Sequence, residues 1–153
     1  MTVFVPGIVR SQGSKRAFMP RGGTRPVIVE DGAHTRPWRQ DVRQAAIEAG
    51  WQPIEGPIDM QCEFVMARPR SHFNSKGELN AVGRRRKYPD GKPDIDKALR
   101  LMADSLTGIA FTDDARIVAV GATKRWVDAS RPTDLPGVLI HVWPADRPQE
   151  GPA

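Results

Sequence analysis

Several features that mark common protein classes are scarce in this sequence of 153 residues. Cys62 is the only cysteine, which excludes an intramolecular disulfide and a zinc site built from cysteines. The longest apolar run, residues 117–122, is much shorter than the roughly 18 residues that cross a membrane. Pro6 and Arg10 interrupt the amino-terminal stretch, so no signal peptide is expected. These absences together predict a cytoplasmic protein without a membrane partner.

Acidic residues are missing from the first 29 positions, although the chain contains 18 of them. The same stretch carries several cations, and a second basic cluster, RRRK, occupies residues 84–87. The formal net charge is +5 and the sequence pI is about 9.9. Basic surfaces attract polyanions, most commonly nucleic acid, whereas the alternative is that the charge only aids solubility.

Hydrophobic periodicity predicts an α+β fold with one domain over residues 1–143 and a disordered tail over residues 144–153. The candidate strands are residues 2–9, 26–30, 58–66, 116–127 and 137–143. One helix begins near Pro37 and stops at Gly50, and a second covers roughly Ile95 to Leu106. We therefore expect a mixed sheet of about four to five strands with two helices packed on it, in which the last two strands can form an antiparallel hairpin.

The second helix has an apolar stripe at the spacing i, i+4, i+7 and i+11. Its members are Ile95, Leu99, Met102 and Leu106. This pattern predicts that all four side chains, including Ile95 at the start, face the core.

Two segments show no periodicity and are therefore predicted to be loop-like, namely residues 10–26 and residues 68–91. The second is long for a loop inside a compact domain, so it is either functional or disordered. Its cations favour a flexible arm that contacts DNA, and the alternative is a solvated insertion.

Carboxylates are concentrated around the second helix, in an otherwise basic chain. Asp94 and Asp96 lie two residues apart at its start, and Asp113 and Asp114 follow its end. Alternate residues of an extended chain point the same way, so Asp94 and Asp96 are expected to converge. Each could instead be a simple helix cap.

If the strand after Asp114 begins beside Asp94, three carboxylates meet. Two of them about 4 Å apart repel by roughly 4 kcal/mol at an effective dielectric near 20, so the group requires a shared proton or a cation. Oxygen ligands suit Mg²⁺ or Mn²⁺. The EF-hand pattern for calcium is not met, because Ala98 and Leu99 stand where an oxygen ligand and a glycine are needed.

Residues 92–120, KPDIDKALRLMADSLTGIAFTDDARIVAV, resemble the RusA family of Holliday junction resolvases, which is common in phages and prophages. That family has a D-x-D pair that opens a helix, a D-[AS]-L-[TN]-G helix end, and a D-D-x-x-[IV] run that starts a strand. Here these motifs occupy residues 94–96, 104–108 and 113–117. Their joint spacing is more specific than any one of them.

The resemblance implies a homodimer that uses Mg²⁺, with Mn²⁺ also possible, to nick two opposed strands of a four-way DNA junction in a bacterial or phage-infected cell. It implies that Asp94, Asp96 and Asp114 bind the metal. The family's catalytic lysine aligns with Arg100, which keeps the positive charge but cannot release a proton, so only an electrostatic catalytic role is compatible with it.

The basic surface is expected to hold the DNA backbone. The candidate contacts are Lys15, Arg16, Arg84, Arg85, Arg86, Lys87, Lys92 and Lys97. Two alternative functions remain open, a non-catalytic structure-selective DNA-binding module and a general nuclease for flaps and branched DNA.

Overall fold

The computed structural model describes residues 1–10, 15–18, 21–22, 24, 27–30 and 35–146, in the α+β arrangement that the sequence predicts. The strands are β1 (Thr2–Pro6), β2 (Lys15–Phe18), β3 (Val27–Glu30), β4 (Ile58–Met66), β5 (Ile117–Trp126) and β6 (Gly137–Pro144). The helices are α1 (Thr35–Glu48), α2 (Ala81–Arg85) and α3 (Ile95–Leu106). Short 3-10 turns occupy Arg70–His72 and Asp114–Arg116.

A four-stranded mixed sheet in the order β1-β6-β4-β5 forms the centre of the fold. Strand β6 runs antiparallel to β1 and β4, whereas β5 runs parallel to β4. The predicted hairpin of the last two strands is wrong, because β4 lies between them. Helix α3 carries the chain back along the sheet, so β5 enters parallel to β4, as a helical crossover requires. Strand β5 is therefore an edge strand.

A separate hairpin pairs β2 with β3 in antiparallel register, with Lys15 opposite Glu30. The prediction that residues 10–26 are loop-like is wrong for β2. Its sequence, KRAF, is short and basic, so it shows none of the apolar alternation that identifies a strand. The predicted tail falls largely on residues 147–153, which lie outside the described residues.

The core lies on the face of the sheet that α1 and α3 cover. Alternation in β4 is confirmed, since Met60, Cys62 and Phe64 are buried while Gln61 is exposed. Burial raises the pKa of the Cys62 thiol to about 12, which makes this residue a small buried hydrophobe rather than a nucleophile. Within the described residues no helix is long and apolar enough to cross a membrane.

Helix α3 has the predicted bounds but a different buried face. Met102 and Leu106 are fully buried as expected, whereas Ile95 is 37% exposed, and the prediction that it faces the core is wrong. Ala98 and Leu101 are buried instead. The helix begins beside the outermost strand, so its first residue has less sheet beneath it than the later turns have.

Polar contacts satisfy the backbone carbonyls at the carboxyl end of α3, and they account for the residue types of the motif at residues 104–108. The Ser105 hydroxyl donates to the Leu101 carbonyl at 2.6 Å, and Gly108 takes a φ of +84° to turn the chain. The Arg43 guanidinium on α1 donates to the carbonyls of Ser105, at 2.8 Å, and Thr107, at 3.3 Å. Free carbonyls at a helix end need such donors. This motif is therefore structural.

Candidate active site

The start of α3 presents two exposed carboxylates. Asp94 is the N-cap residue, with extended backbone angles of φ −63° and ψ 135°, yet its side chain makes no capping hydrogen bond. Asp96 lies in the first helical turn. The one ion pair at this point joins the Lys97 ammonium to the Asp94 carboxylate at 3.5 Å, in an exposed position where such pairs are weak. The carboxylates are therefore available to a ligand, and the helix dipole favours their charge.

Arg100 is exposed on α3, four residues after Asp96. This spacing places both residues on one face of the helix, one turn apart. An electrostatic role for Arg100 beside the aspartates stays a prediction.

The second pair of aspartates has a partly structural role. The Asp113 carboxylate accepts the backbone N–H of Ala115 at 2.8 Å, which caps the 3-10 turn. That bond, followed by a hydrogen bond with the Asp114 carboxyl, holds the pKa of Asp113 below its ordinary value. Both aspartates are exposed, and because the Asp113 carboxylate already binds the turn, Asp114 is the member of the pair that remains for another task.

The two groups of aspartates lie at opposite ends of β5. The Lys124 ammonium, near the end of that strand, donates to the carbonyl of Pro93, the residue before Asp94. The turn that contains Asp114 directly precedes Ile117, the first residue of β5. Seven steps separate Ile117 from Lys124, or about 23 Å at ~3.3 Å per step. The expectation that Asp114 meets Asp94 and Asp96 within one chain is therefore not met.

The residues that the structure describes contain no group of three or more histidine, cysteine, aspartate or glutamate side chains that could hold a metal ion. The donors at the start of α3 nevertheless suit a hard divalent cation, because carboxylate oxygens are what Mg²⁺ and Mn²⁺ prefer. Asp94 and Asp96 thus fit part of such a site, and among the described residues no third acidic, histidine or cysteine ligand lies with them. Metal binding by Asp94, Asp96 and Asp114 stays a prediction.

The long basic loop is ordered rather than a flexible arm. Phe73 and Leu79 form an isolated antiparallel bridge, and α2 follows. The Asn80 side chain caps α2 by accepting the Gly83 N–H at 2.9 Å, and donates to carbonyls of the preceding turn. Gly83 is buried there, and a Cβ on it would lie 2.4 Å from the His72 carbonyl oxygen. The loop is thus a packed structure.

Most of the predicted DNA contacts lie on the surface of this loop. Arg84 donates to the Leu79 carbonyl at 2.6 Å, and Arg86 pairs with Asp90 at 3.2 Å. The exposed members of the set within the described side chains are Arg84, Arg85, Arg86, Lys87 and Lys92, with Lys97 half-buried. Lys15 and Arg16 belong to β2, but their side chains lie outside the described part of the chain.

A groove of about 640 Å³ runs between the basic loop and the connection after β5. Its lining combines cations, acids and an aromatic ring, including Arg68, Glu78, Lys87, Trp126 and Asp128. Such a mixed lining places positive charge beside an aromatic ring.

Three residues with central contacts were missed by reasoning from sequence. Lys124 and Trp126 lie near the end of the strand predicted over residues 116–127, and Arg68 opens a segment without periodicity. The Arg68 guanidinium lies 5.2 Å from the centroid of the Trp126 ring and donates to the carbonyls of Gly83 and Arg86. The one available signal was the pair of polar residues, Lys124 and Arg125, that breaks an apolar strand.

Residues 9–140 match the family described as Endodeoxyribonuclease RusA. The chain is also 27% identical over 117 residues to the uncharacterized protein YqaN of Bacillus subtilis (strain 168), a match that covers 73% of this chain and 81% of YqaN. The family match spans the ordered basic loop and both groups of aspartates.

Proposed function

Because the chain belongs to the RusA endodeoxyribonuclease family, we propose that it is a Mg²⁺-dependent nuclease that resolves Holliday junctions by paired nicks. The observation that supports this most is the start of α3, where two carboxylates unused for capping stand next to an ordered cationic loop. A nuclease needs both features, since acids hold its metal and cations hold the DNA backbone.

A metal ion bound at Asp94 and Asp96 would lower the pKa of a water molecule and stabilise charge on the leaving oxygen. The protein's own residues orient the DNA. The exposed cations of the loop contact phosphates, which fixes the position of the backbone but reads no sequence. Arg100 adds positive charge beside the reacting phosphate and stays protonated throughout.

The active form is proposed to be a homodimer joined along the edge strand β5. Among the described residues no strand pairs with the outer side of β5, and its backbone donors and acceptors there are free to pair with a second chain. Val118 is 63% exposed and Val120 is 56% exposed on the same strand, so a second chain paired with β5 would cover apolar side chains as well as backbone groups.

Such a dimer would complete the metal site. A two-fold axis makes identical edge strands antiparallel, so the first residues of one β5 lie beside the last residues of the other. The Asp114 carboxylate of each chain would then approach Asp94 and Asp96 of the other chain. Two such sites per dimer match two nicks per junction.

The proposal is tested with a labelled four-way junction in the presence and absence of Mg²⁺. We expect cleavage only with Mg²⁺ or Mn²⁺, and we expect Asp94→Asn to bind the junction at least as tightly as the parent while cutting at background level, because a charge that repels phosphate is removed. Cleavage at the parental rate by Asp94→Asn would contradict the assignment.

Two further outcomes of the same assay decide between the alternatives. Salt-sensitive junction binding with no cleavage under any metal would indicate a non-catalytic binding module. Equal cleavage rates on junction, flap and duplex substrates would indicate a general nuclease.

A further inference from the structure

Side chains at the end of strand β5 bind the segment that joins the basic cluster, residues 84–87, to Asp94 and Asp96. The Lys124 ammonium donates to the Gly91 carbonyl at 2.6 Å and to the Pro93 carbonyl at 2.9 Å. Hydrogen bonds from a charged donor are stronger than neutral ones. The residue just before Asp94 is thereby tied to the sheet.

Two residues further along the strand, a second donor holds the other end of the segment. The Trp126 indole N–H donates to the Arg86 carbonyl at 2.9 Å, inside the RRRK cluster. The same carbonyl accepts the Arg68 guanidinium at 3.2 Å, and the buried His72 ring packs edge-on against Trp126 with centroids 5.4 Å apart. The backbone of the cluster is thus fixed at its centre.

Both donors lie on one side of the sheet, because residues two apart on a strand point the same way. Strand β5 is itself fixed through its pairing with β4, where Lys124 lies opposite Phe64 and Trp126 opposite Met66. The segment 86–94 contains no helix or strand, and its internal contacts include the hydrogen bond from the Asp90 N–H to the Tyr88 carbonyl at 3.0 Å and the ion pair of Arg86 with Asp90. Lys124 and Trp126 add the hydrogen bonds that tie both ends of this segment to the sheet.

We propose that Lys124 and Trp126 are positioning residues that set the separation between the phosphate-binding cations and the metal-binding carboxylates, and so determine which phosphodiester is cut. This rests on the proposed nuclease function. Eight residue steps separate Arg86 from Asp94, and a free chain of that length reaches up to about 27 Å, or several nucleotides of backbone. Two anchors on alternate positions of one paired strand restrict that range.

The first test needs no nuclease activity. Lys124→Met removes the ammonium, and Trp126→Phe removes the indole N–H but keeps an aromatic ring against Arg68 and His72. Folded protein is treated with dilute trypsin, and the rate of cleavage at residues 84–87 is followed by mass spectrometry. We expect Trp126→Phe to be cut about tenfold faster than the parent, the factor for the loss of one hydrogen bond, and Lys124→Met, which loses two, to be cut faster still.

Arg125→Met is the matched control, since the Arg125 guanidinium binds Glu63, Asp134 and the Trp126 carbonyl on the opposite face from the ammonium and indole N–H that hold the segment. It should leave trypsin cleavage at residues 84–87 unchanged. The anchoring role would be overturned if trypsin cut both test variants at the same rate as the parent. It would also be overturned if the control were cut as fast as the test variants.

The second test maps the nicks on a junction at single-nucleotide resolution. The two variants are expected to spread cutting over neighbouring phosphodiesters while junction affinity changes less than threefold, whereas the control keeps the parental position. A purely structural role would lower the rate and leave the position unchanged, which would overturn the inference. If the parent protein cuts no junction, the proposed function and the positional inference fail together. The trypsin experiment still tests whether Lys124 and Trp126 anchor segment 86–94.

Discussion

The two ends of strand β5 carry the two groups of aspartates, but they are built differently. At the carboxyl end, Lys124 and Trp126 donate hydrogen bonds across to segment 86–94, and the Asp94 carboxylate makes no capping bond. At the amino end, the Asp113 carboxylate accepts the Ala115 N–H and so caps the 3-10 turn that precedes β5. The carboxyl end therefore leaves the Asp94 carboxylate open and the amino end uses the Asp113 carboxylate in a turn, an arrangement that suits the proposed dimer, in which Asp114 completes the site of the other chain.

The largest expected effect is the return of activity when two inactive variants are mixed, and it tests the comparison between the two ends of β5. Asp94→Asn and Asp114→Asn should each reduce junction cleavage to background when purified alone. After mixing and subunit exchange, the heterodimer has one site with both substitutions and one with none, so nicking of one strand should return. Gel analysis under denaturing conditions separates single nicks from paired cuts.

If each site instead formed within one chain, both sites of the heterodimer would carry one substitution and the mixture would remain inactive. Asp94→Asn mixed with Asp96→Asn is the control, since it leaves no intact site in either arrangement. Recovery in that control would point to residual activity of a variant rather than to shared sites.

The next effect concerns the loop at the carboxyl end. Gly83→Ala places a Cβ 2.4 Å from the His72 carbonyl oxygen, a distance that forces the backbone to move. We expect junction affinity to fall about tenfold, because displaced cations lose phosphate contacts, with a shallower dependence of binding on salt. Binding is measured by titration at several salt concentrations.

Gly91→Ala is the matched change in the same loop, since nothing lies within 4 Å of a Cβ at that position. It should bind as the parent does. If both variants lost the same amount of junction affinity, the packing of the loop would not be what positions its cations for DNA binding.

A smaller effect is expected where α3 returns towards the amino end of β5. Arg43→Met removes the donor to the Ser105 and Thr107 carbonyls, and we expect the free energy of unfolding to fall by roughly 1.5–3 kcal/mol, the usual range for hydrogen bonds from charged groups. Denaturant unfolding measures it. Glu55→Gln, at an exposed position, should change stability by less than about 0.5 kcal/mol.

The smallest effect is a pH dependence at the carboxyl end. Two hydrogen bonds from Arg125 and one from the Asp128 N–H lower the pKa of Asp134 to about 2 from an ordinary value of 3.8. A carboxyl whose pKa is lower in the folded state stabilises the fold above its unfolded pKa, and this contribution is lost as the pH falls from about 4 to 2.

Asp134→Asn should therefore lose less stability than the parent over that interval, while being less stable at pH 7. Thermal unfolding at stepwise pH values measures the difference. Parallel curves for the two proteins would show that the ion pair with Arg125 contributes nothing to folding. Because Arg125 lies on the opposite face from the Lys124 contacts, trypsin cleavage at residues 84–87 should not change.

Local sequence patterns predicted the elements well where one face of an element is buried. The alternation in β4 and the bounds of α3 are confirmed, because burial on one side imposes a period of two or 3.6 residues. The short basic strand β2 has no such period, and the ordered loop before α3 is held by hydrogen bonds to carbonyls, which any residue provides. Neither could be read from side-chain types alone.

The acids, the cations and the family resemblance could be recognised from the sequence, since residue types and spacings along one helix and its flanks are local properties. Which of these residues meet depends on the three-dimensional fold. The path of α3 back along the sheet sends Asp114 to the far end of β5, and the same strand direction brings Lys124 and Trp126 to the start of the helix. Strand order and direction arise from contacts between distant segments, so no local pattern contains them.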